Sequence, residues 1–276
     1  MKLVPMLFLL AAGWAGPLSG DAPAAGFDHS HQQWDALLKR YVVGSTVRYR
    51  VWARDRGGLD VYVRSLARVT GEQFEQFTGP QKLAFWINAY NAFTVQVVLD
   101  HYPIRPHLLS LSPANSIRQI SGVWDDFYLE AGGGRYSLNQ IEHEILRAEF
   151  GEPRIHVAIN CASVGCPPLR QEAFQASRIE AQLADQAERF ARLPLHVRLD
   201  RGKKILYVSK IFSWFGGDFI GNYSWEGPGR LDAGDRAVLA FLHRHLPPEE
   251  RSFLESTPVK IRYLDYDWHL NETEEE

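Results

Sequence analysis

Residues 78–103 read TGPQKLAFWINAYNAFTVQVVLDHYP, the strongest helical signal in the chain. Thr78 or Gly79 can cap such a helix, Pro80 suits its first turn, and Pro103 stops it. Leu83, Trp86, Ile87, Tyr90, Phe93 and Val97 form a stripe at helical spacing, and Phe85, Ala89, Ala92 and Val95 widen it almost all round. A helix apolar on nearly every side belongs at the centre of a core. Asn88 and Asn91 interrupt it at i and i+3, on one shared face. A buried amide needs partners. These two therefore either hydrogen-bond a neighbouring loop and fix its path, or line a polar pocket.

Shorter signals flank this helix. WDALLKRY (34–41) is amphipathic, and Leu66 to Phe77 is a second helical candidate. DFYLEAGGGRYS (126–137) reads as a hairpin turning on Gly132 to Gly134. SLNQIEHEILRAEFG (137–151) opens on a Ser137/Gln140 capping box and closes on Gly151. Its Glu142 and His143 lie beside the apolar stripe. RIHVAINC (154–161) alternates with period two and predicts a strand running into the cysteine loop. Ser177 and Glu180 suggest a capping box for a helix ending near Pro194, and LHVRLDRGKKILYVS (195–209) a second hairpin. SKIFSWFGGDF (209–219) is expected to pack across that hairpin. Asp235 to Leu246 predicts a helix closed by Pro247-Pro248, and VKIRYLDYDWHL (259–270) a final strand. Helices and hairpins mix without regular βαβ alternation. The expectation is an α+β fold in a single domain, residues 27–271, with a mainly antiparallel sheet and a central buried helix.

The chain has 276 residues, 45% hydrophobic and 12% aromatic, with a net charge of −3. That supports a substantial core and shows no clustered basic stripe, so a nucleic-acid partner is not expected. The opening MKLVPMLFLLAAGWAG has the charged, apolar and small-residue order of a secretory signal. A signal peptide over residues 1–24 and a periplasmic or secreted location follow as expectations. No later apolar run is long enough to span a bilayer, so no transmembrane segment is expected after signal removal. Residues 272–276 read as an acidic, solvated tail.

INCASVGCPPL (159–169) holds both cysteines, five residues apart. Three readings stand open. A Cys161–Cys166 disulfide is permitted in an oxidising compartment. A thiol nucleophile needs a base and an orienting group. Cys161 at the strand end is then the first candidate and Cys166 the second. His143 would be the base, with Glu142, Asn88 or Asn91 beside it. A zinc site could use His143, His156, Cys161 and Cys166, but no paired ligand clip is present. No metal and no cofactor is therefore expected. His156 alone suits a satisfied strand-face histidine. The aromatic run Phe212, Trp214, Phe215 and Phe219 suits either a core or a ligand platform.

Five segments, in order, resemble the domain of unknown function 547 family over Gln81 to Asn271. KLAFWINAYNAFTVQVVL carries over Trp86, Asn88 and Asn91, and YSLNQIEHEILR carries over Glu142 and His143. HVAINCASVGCPPL brings His156, Asn160, Cys161, Cys166 and Pro167. SKIFSWFGGDF brings Trp214, Phe215 and Asp218, and YDWHLN brings Asp267 and Trp268. The resemblance implies exported bacterial proteins and domains of larger plant proteins, and no established activity. The functional expectation is a thiol-dependent hydrolase or transferase with a Cys/His/Asn or Cys/His/Glu site. Its partner would be a small-molecule, peptide or envelope substrate. Asn91, His156, Asn160, Cys166 and Trp214 are the candidate binding residues. The alternative is a non-catalytic binding or structural module of the cell envelope, stapled by its disulfide.

Overall fold

The computed structural model describes residues 26–108 and 110–273. The expected signal peptide, residues 1–24, lies outside the described residues, as does most of the expected acidic tail.

At the centre is the helix Gly79–Asp100. It opens on a capping box in which the Thr78 hydroxyl accepts from the Gln81 N–H and the Gln81 side chain accepts from the Thr78 N–H. Sixteen of its residues are buried, Asn88 and Asn91 among them. In chain order the helices are α1 (Gln32–Tyr41), α2 (Tyr49–Trp52), α3 (Gly57–Ala67), α4 (Gly71–Glu75), α5 (the central Gly79–Asp100), α6 (Arg147–Phe150), α7 (Ile179–Arg192), α8 (Lys210–Phe215), α9 (Ala233–His245) and α10 (Pro248–Ser256). The strands are β1 (Val42–Val43), β2 (Thr46–Val47), β3 (Leu129–Ala131), β4 (Gly134–Tyr136), β5 (Val197–Asp200), β6 (Ile205–Val208) and β7 (Lys260–Tyr263). They make two small antiparallel hairpins and one mixed three-stranded sheet, in which β5 pairs antiparallel and β7 parallel with β6. This is an α+β fold in one domain, rich in helix.

Two apolar clusters form the interior. One surrounds α5 and takes in α1, α3 and the β3–β4 hairpin; the other surrounds α9 with α7, α8 and the β5–β6–β7 sheet. The hairpin turns at Gly133, whose φ of +81° suits glycine. A Cβ there would sit 2.2 Å from the backbone N of Gly71, so the turn can approach α4 only as glycine.

Several elements depart from the sequence reading. The single helix expected over 66–77 is two helices, because Thr70 and Gln73 make a capping box that starts α4 afresh. Ser177 and Glu180 do not cap α7: Arg178 takes that place after a 3₁₀ turn, and Glu180 pairs with Arg154 at 2.7 Å. Pro248 does not simply end α9; it begins α10 at a first-turn position.

RIHVAINC is not a strand. Pro153–Val157 form a 3₁₀ turn, with the Glu152 side chain accepting from the Arg154 N–H, and residues 158–161 are irregular. The alternation misled because both parities are buried: Ile155, Val157 and Ile159, but also His156, Ala158 and Asn160. The sequence 259–270 is strand only over β7; its remainder leaves the sheet and crosses the cysteine loop. Glu272 and Thr273, expected in a solvated tail, sit beside β2, where the Thr273 N–H donates to the Val47 carbonyl at 2.9 Å.

His31 and His196 are buried, and burial lowers the pKa of each from 6.5 to about 4. The unfolded chain binds these protons near pH 6.5 and the folded protein only near pH 4. Their stabilising contribution is therefore whole above about pH 6.5 and falls, by up to about 1.4 kcal/mol per pH unit for each histidine, on acidification towards pH 4. Urea unfolding should show lower stability at pH 4.5 than at pH 7. His196→Phe, which can keep the 4.2 Å stacking on Phe190, should reduce that difference. An unchanged pH dependence in that variant would show that His196 is not among its sources.

Candidate functional site

Where the two clusters meet there is a cavity of 460 Å³. Its walls come from distant parts of the chain: Tyr90 of α5, Glu142 and His143, the cysteine loop, Trp214 and Phe215 of α8, and Tyr266 and Trp268 of the final crossing segment. The volume suits a small organic ligand.

Glu142 and His143 are adjacent in sequence and, on a regular α-helix, would point about 100° apart. Residues 140–146 instead form a π-helical stretch, and the Arg147 N–H reaches back to the Glu142 carbonyl five residues earlier. Such widened turns recur at functional sites. Here both side chains reach the cavity wall. Glu142 Oε2 accepts from the buried Tyr90 hydroxyl at 3.0 Å. Burial pushes the Glu142 carboxyl above its ordinary range, while the nearby His143 and the Tyr90 hydrogen bond oppose that shift.

His143 is held from behind. Arg147 Nη1 donates to its Nδ1 at 3.1 Å. A guanidinium has no acceptor, so Nδ1 carries the lone pair and the neutral ring keeps its proton on Nε2. Arg147 is itself fixed by a bidentate pair to Asp218, at 2.7 and 2.9 Å. Asp218 also accepts from His156 Nε2 at 2.8 Å. These hydrogen bonds, His156 first and then Arg147, hold the Asp218 carboxyl well below the usual carboxylate range. Burial lowers the His156 pKa, and its ring stacks on Phe215 at 4.3 Å. Asp218 thus sets Arg147, which sets His143.

The two cysteines are joined as a Cys161–Cys166 disulfide in the cavity wall. Cys166 is buried and Cys161 half-buried. Cys166 Sγ receives the Cys161 N–H at 2.9 Å and the Tyr266 hydroxyl at 3.0 Å. Ser163 Oγ lies 3.3 Å from that sulfur and 3.0 Å from the Tyr266 oxygen. Between the cysteines, Ala162 holds a left-handed φ of +60°, a strained state for a residue with a Cβ. Its N–H donates to Asn160 Oδ1 at 2.9 Å, and its carbonyl accepts from the Asn271 N–H at 3.2 Å. The loop also pairs with the crossing segment, Val164 N–H to the His269 carbonyl and Gly165 N–H to the Asp267 carbonyl, both at 2.8 Å. At Gly165 a Cβ would lie 3.0 Å from the Asp267 backbone, so a side chain there would press the crossing segment outward by a few tenths of an ångström.

Of the residues singled out in sequence, Glu142, His143, His156, Cys161, Cys166 and Trp214 line the cavity. Asn88 does not. Its amide is spent on Phe174, Nδ2 donating to the carbonyl at 2.7 Å and Oδ1 accepting from the N–H at 3.0 Å. It therefore does not orient His143. Asn91 clamps the other loop in the same way, donating to the Ala158 carbonyl at 3.1 Å and accepting from the Asn160 N–H at 2.8 Å. Asn160 donates to the Pro167 carbonyl at 2.7 Å and shapes the cysteine loop rather than the cavity wall. Among the described residues, no group of three or more His, Cys, Asp and Glu is placed to hold a metal ion. No helix among them is long and apolar enough to cross a membrane.

The residue reading missed Tyr90, Arg118, Trp124 and Tyr266. Tyr90 looked like one more apolar stripe position. The other three lie in segments without strong periodicity, and only contacts over long sequence separations bring them to the wall.

Residues 74–191 match the model of the family described as Protein of unknown function, DUF547, and the chain is similar to that family over this stretch. The matched stretch contains α5, the π-helical turn and the cysteine loop, but stops before α8 and the crossing segment. No curated protein and no solved structure matches the chain.

Replacing Asn91 by Ala would leave two buried backbone groups without partners, the Ala158 carbonyl and the Asn160 N–H. Each should cost about 1–3 kcal/mol in chemical denaturation. A total loss below about 1 kcal/mol would show that the loop keeps its path without the clamp.

Proposed function

We propose that the protein is a thiol-dependent enzyme of the exchange type, working through the Cys161–Cys166 pair inside the cavity. The observation that carries this reading is the set of donors gathered on Cys166 Sγ: the Cys161 N–H at 2.9 Å and the Tyr266 hydroxyl at 3.0 Å, backed by Ser163. A sulfur that receives such donors is prepared to carry negative charge.

In the proposed step a substrate thiolate attacks Cys161 Sγ, the more accessible sulfur. A new disulfide forms between substrate and Cys161, and the Cys161–Cys166 bond breaks. The electron pair leaves on Cys166 as a thiolate, which those donors receive. Glu142, its carboxyl raised by burial, takes the proton of the entering thiol. His143 presents Nε2–H as a donor that orients the substrate, and is not the base. The chemistry is thus Cys/His/Glu, with Arg147 and Asp218 as positioning residues. The leader-like N-terminal pattern, MKLVPMLFLLAAGWAG, supports an exported and oxidising setting, in which such a disulfide persists and the substrate is a small molecule, a peptide or an envelope component.

A second reading also has an observation in its favour. The cysteine loop is tied on both sides by the His269, Asp267 and Asn271 backbone, which suits a staple in a rigid binding module. As a staple, so short a loop would contribute about 2 kcal/mol by chain entropy.

The two readings separate in the reduced protein. In the Cys161→Ser variant, the remaining Cys166 thiol should ionise below about 8.5, followed by ultraviolet thiolate absorbance. Adding Tyr266→Phe should raise that value, and in the disulfide form Tyr266→Phe should slow reduction by a small thiol roughly tenfold. If Cys166 ionises at or above the ordinary thiol value, and the disulfide is reduced no faster than one in a short unstructured peptide, the exchange reading fails and the staple remains.

A further inference from the structure

Arg118 stands at the cavity wall in a 3₁₀ turn, Ile117–Gln119, with its guanidinium stacked over the Trp268 ring at 4.9 Å. Among the described residues its side chain has this ring contact and no hydrogen bond or ion pair. Arg147, which lies behind His143 and not in the cavity wall, is engaged by Asp218 and His143. Arg118 therefore offers a pre-oriented cation with its donor edge free, as bidentate carboxylate recognition requires.

Beside it runs a continuous aromatic wall. Trp268 lies 4.5 Å from Tyr266, 6.2 Å from Trp214 and 6.1 Å from Trp124, centre to centre. Trp214 is 45% exposed, an unusual state for an indole with neighbours to pack on. An open indole next to two further rings is a platform for a flat face, either an aryl ring or the C–H face of a pyranose. The turn carrying Arg118 is fixed from within: the Ser116 hydroxyl accepts from the Arg118 N–H at 3.2 Å, and the buried Gln119 side chain ties down His107, Ser112 and Pro113.

We infer that the cavity takes a carboxylate carried on a flat ring, with the carboxylate on Arg118 and the ring against Trp268 and Trp214. This names the substrate class for the exchange chemistry and rests on that reading for the reacting group, but the recognition itself needs no free thiol.

The test is therefore equilibrium binding to the disulfide form, followed by quenching of tryptophan fluorescence. Two matched pairs serve as probes: 4-hydroxybenzoate with 4-hydroxybenzamide, and glucuronate with glucose. At least one acid should bind about tenfold or more tighter than its neutral partner, as expected for a charge-assisted hydrogen bond. The pair that shows the preference identifies the ring as aryl or pyranose. Arg118→Ala should abolish the preference with the melting temperature unchanged, since the side chain is exposed, and Trp268→Leu should weaken both members of the pair alike. The inference is overturned if neither acid binds, if acid and neutral partner bind equally, or if the preference survives Arg118→Ala. Because the sulfurs stay oxidised throughout, failure here leaves the thiolate titration of Cys166 to stand or fall separately.

Discussion

Two side-chain amides on α5 hold the irregular half of this protein in place. A carboxamide carries a donor and an acceptor a short distance apart, the same pair that a neighbouring strand would present. Asn91 gives its pair to Ala158 and Asn160, and Asn88 gives its pair to Phe174. Each backbone segment is thereby satisfied where no sheet can reach it. Deep in an apolar interior such bonds are costly to leave unmade, so the loops have little choice of path. The cysteine loop, the 3₁₀ turn before it and the segment entering α7 all take their position from one rigid helix.

That arrangement explains what was legible in the sequence. The central helix was readable because its signal is local: a cap, a first-turn proline, an apolar surface and a stopping proline. The same holds for the β3–β4 and β5–β6 hairpins and for α1 and α9, whereas α7 was expected from a cap that it does not use. The two asparagines were readable as anomalies, and the plainer alternative, that they fix a neighbouring loop, is the one the geometry gives. The stretch 154–161 was misread for a physical reason. A period of two signals a strand only when one face is wet, and here both parities are buried against α5 and α7. In the site, Glu142, His143 and the cysteines stood out as reactive groups in otherwise apolar segments. The aromatic wall was only partly legible: Trp214 stood in an aromatic run that suited either a core or a ligand platform, Trp268 entered only by family resemblance, and Arg118 and Tyr266 not at all.

Electrostatics divide the cavity into two unlike ends. Behind His143, an ionised Asp218 and a permanently charged Arg147 neutralise each other and fix one tautomer of the ring. Beside it, Glu142 faces burial with a neutral phenol as its direct hydrogen-bond partner, and its charge is disfavoured. Adjacent residues thus meet different surroundings: Arg147 takes Nδ1 of the imidazole, and burial draws the carboxyl towards protonation. The π-helical widening lets two neighbours in the chain share one wall while keeping these separate surroundings.

The segment 266–271 crosses the cysteine loop, supplies Tyr266 and Trp268 to the wall, and then reaches β2 through the Val47 N–H and the Asn271 carbonyl at 2.8 Å. For a chain made from its N-terminus this fixes an order of events. Helices α1 to α5, the π-helical turn and both cysteines emerge long before the residues that close the cavity over them. The first two hundred residues carry the π-helical turn and both cysteines without Tyr266 or Trp268, an open trough in place of a pocket. Only when the crossing segment follows does the trough become a pocket, and Cys166 gains the hydroxyl of Tyr266 at the same moment. The closure of this wall therefore depends on residues far downstream of the cysteines, and a chain without the crossing segment would lack the Tyr266 and Trp268 faces of it.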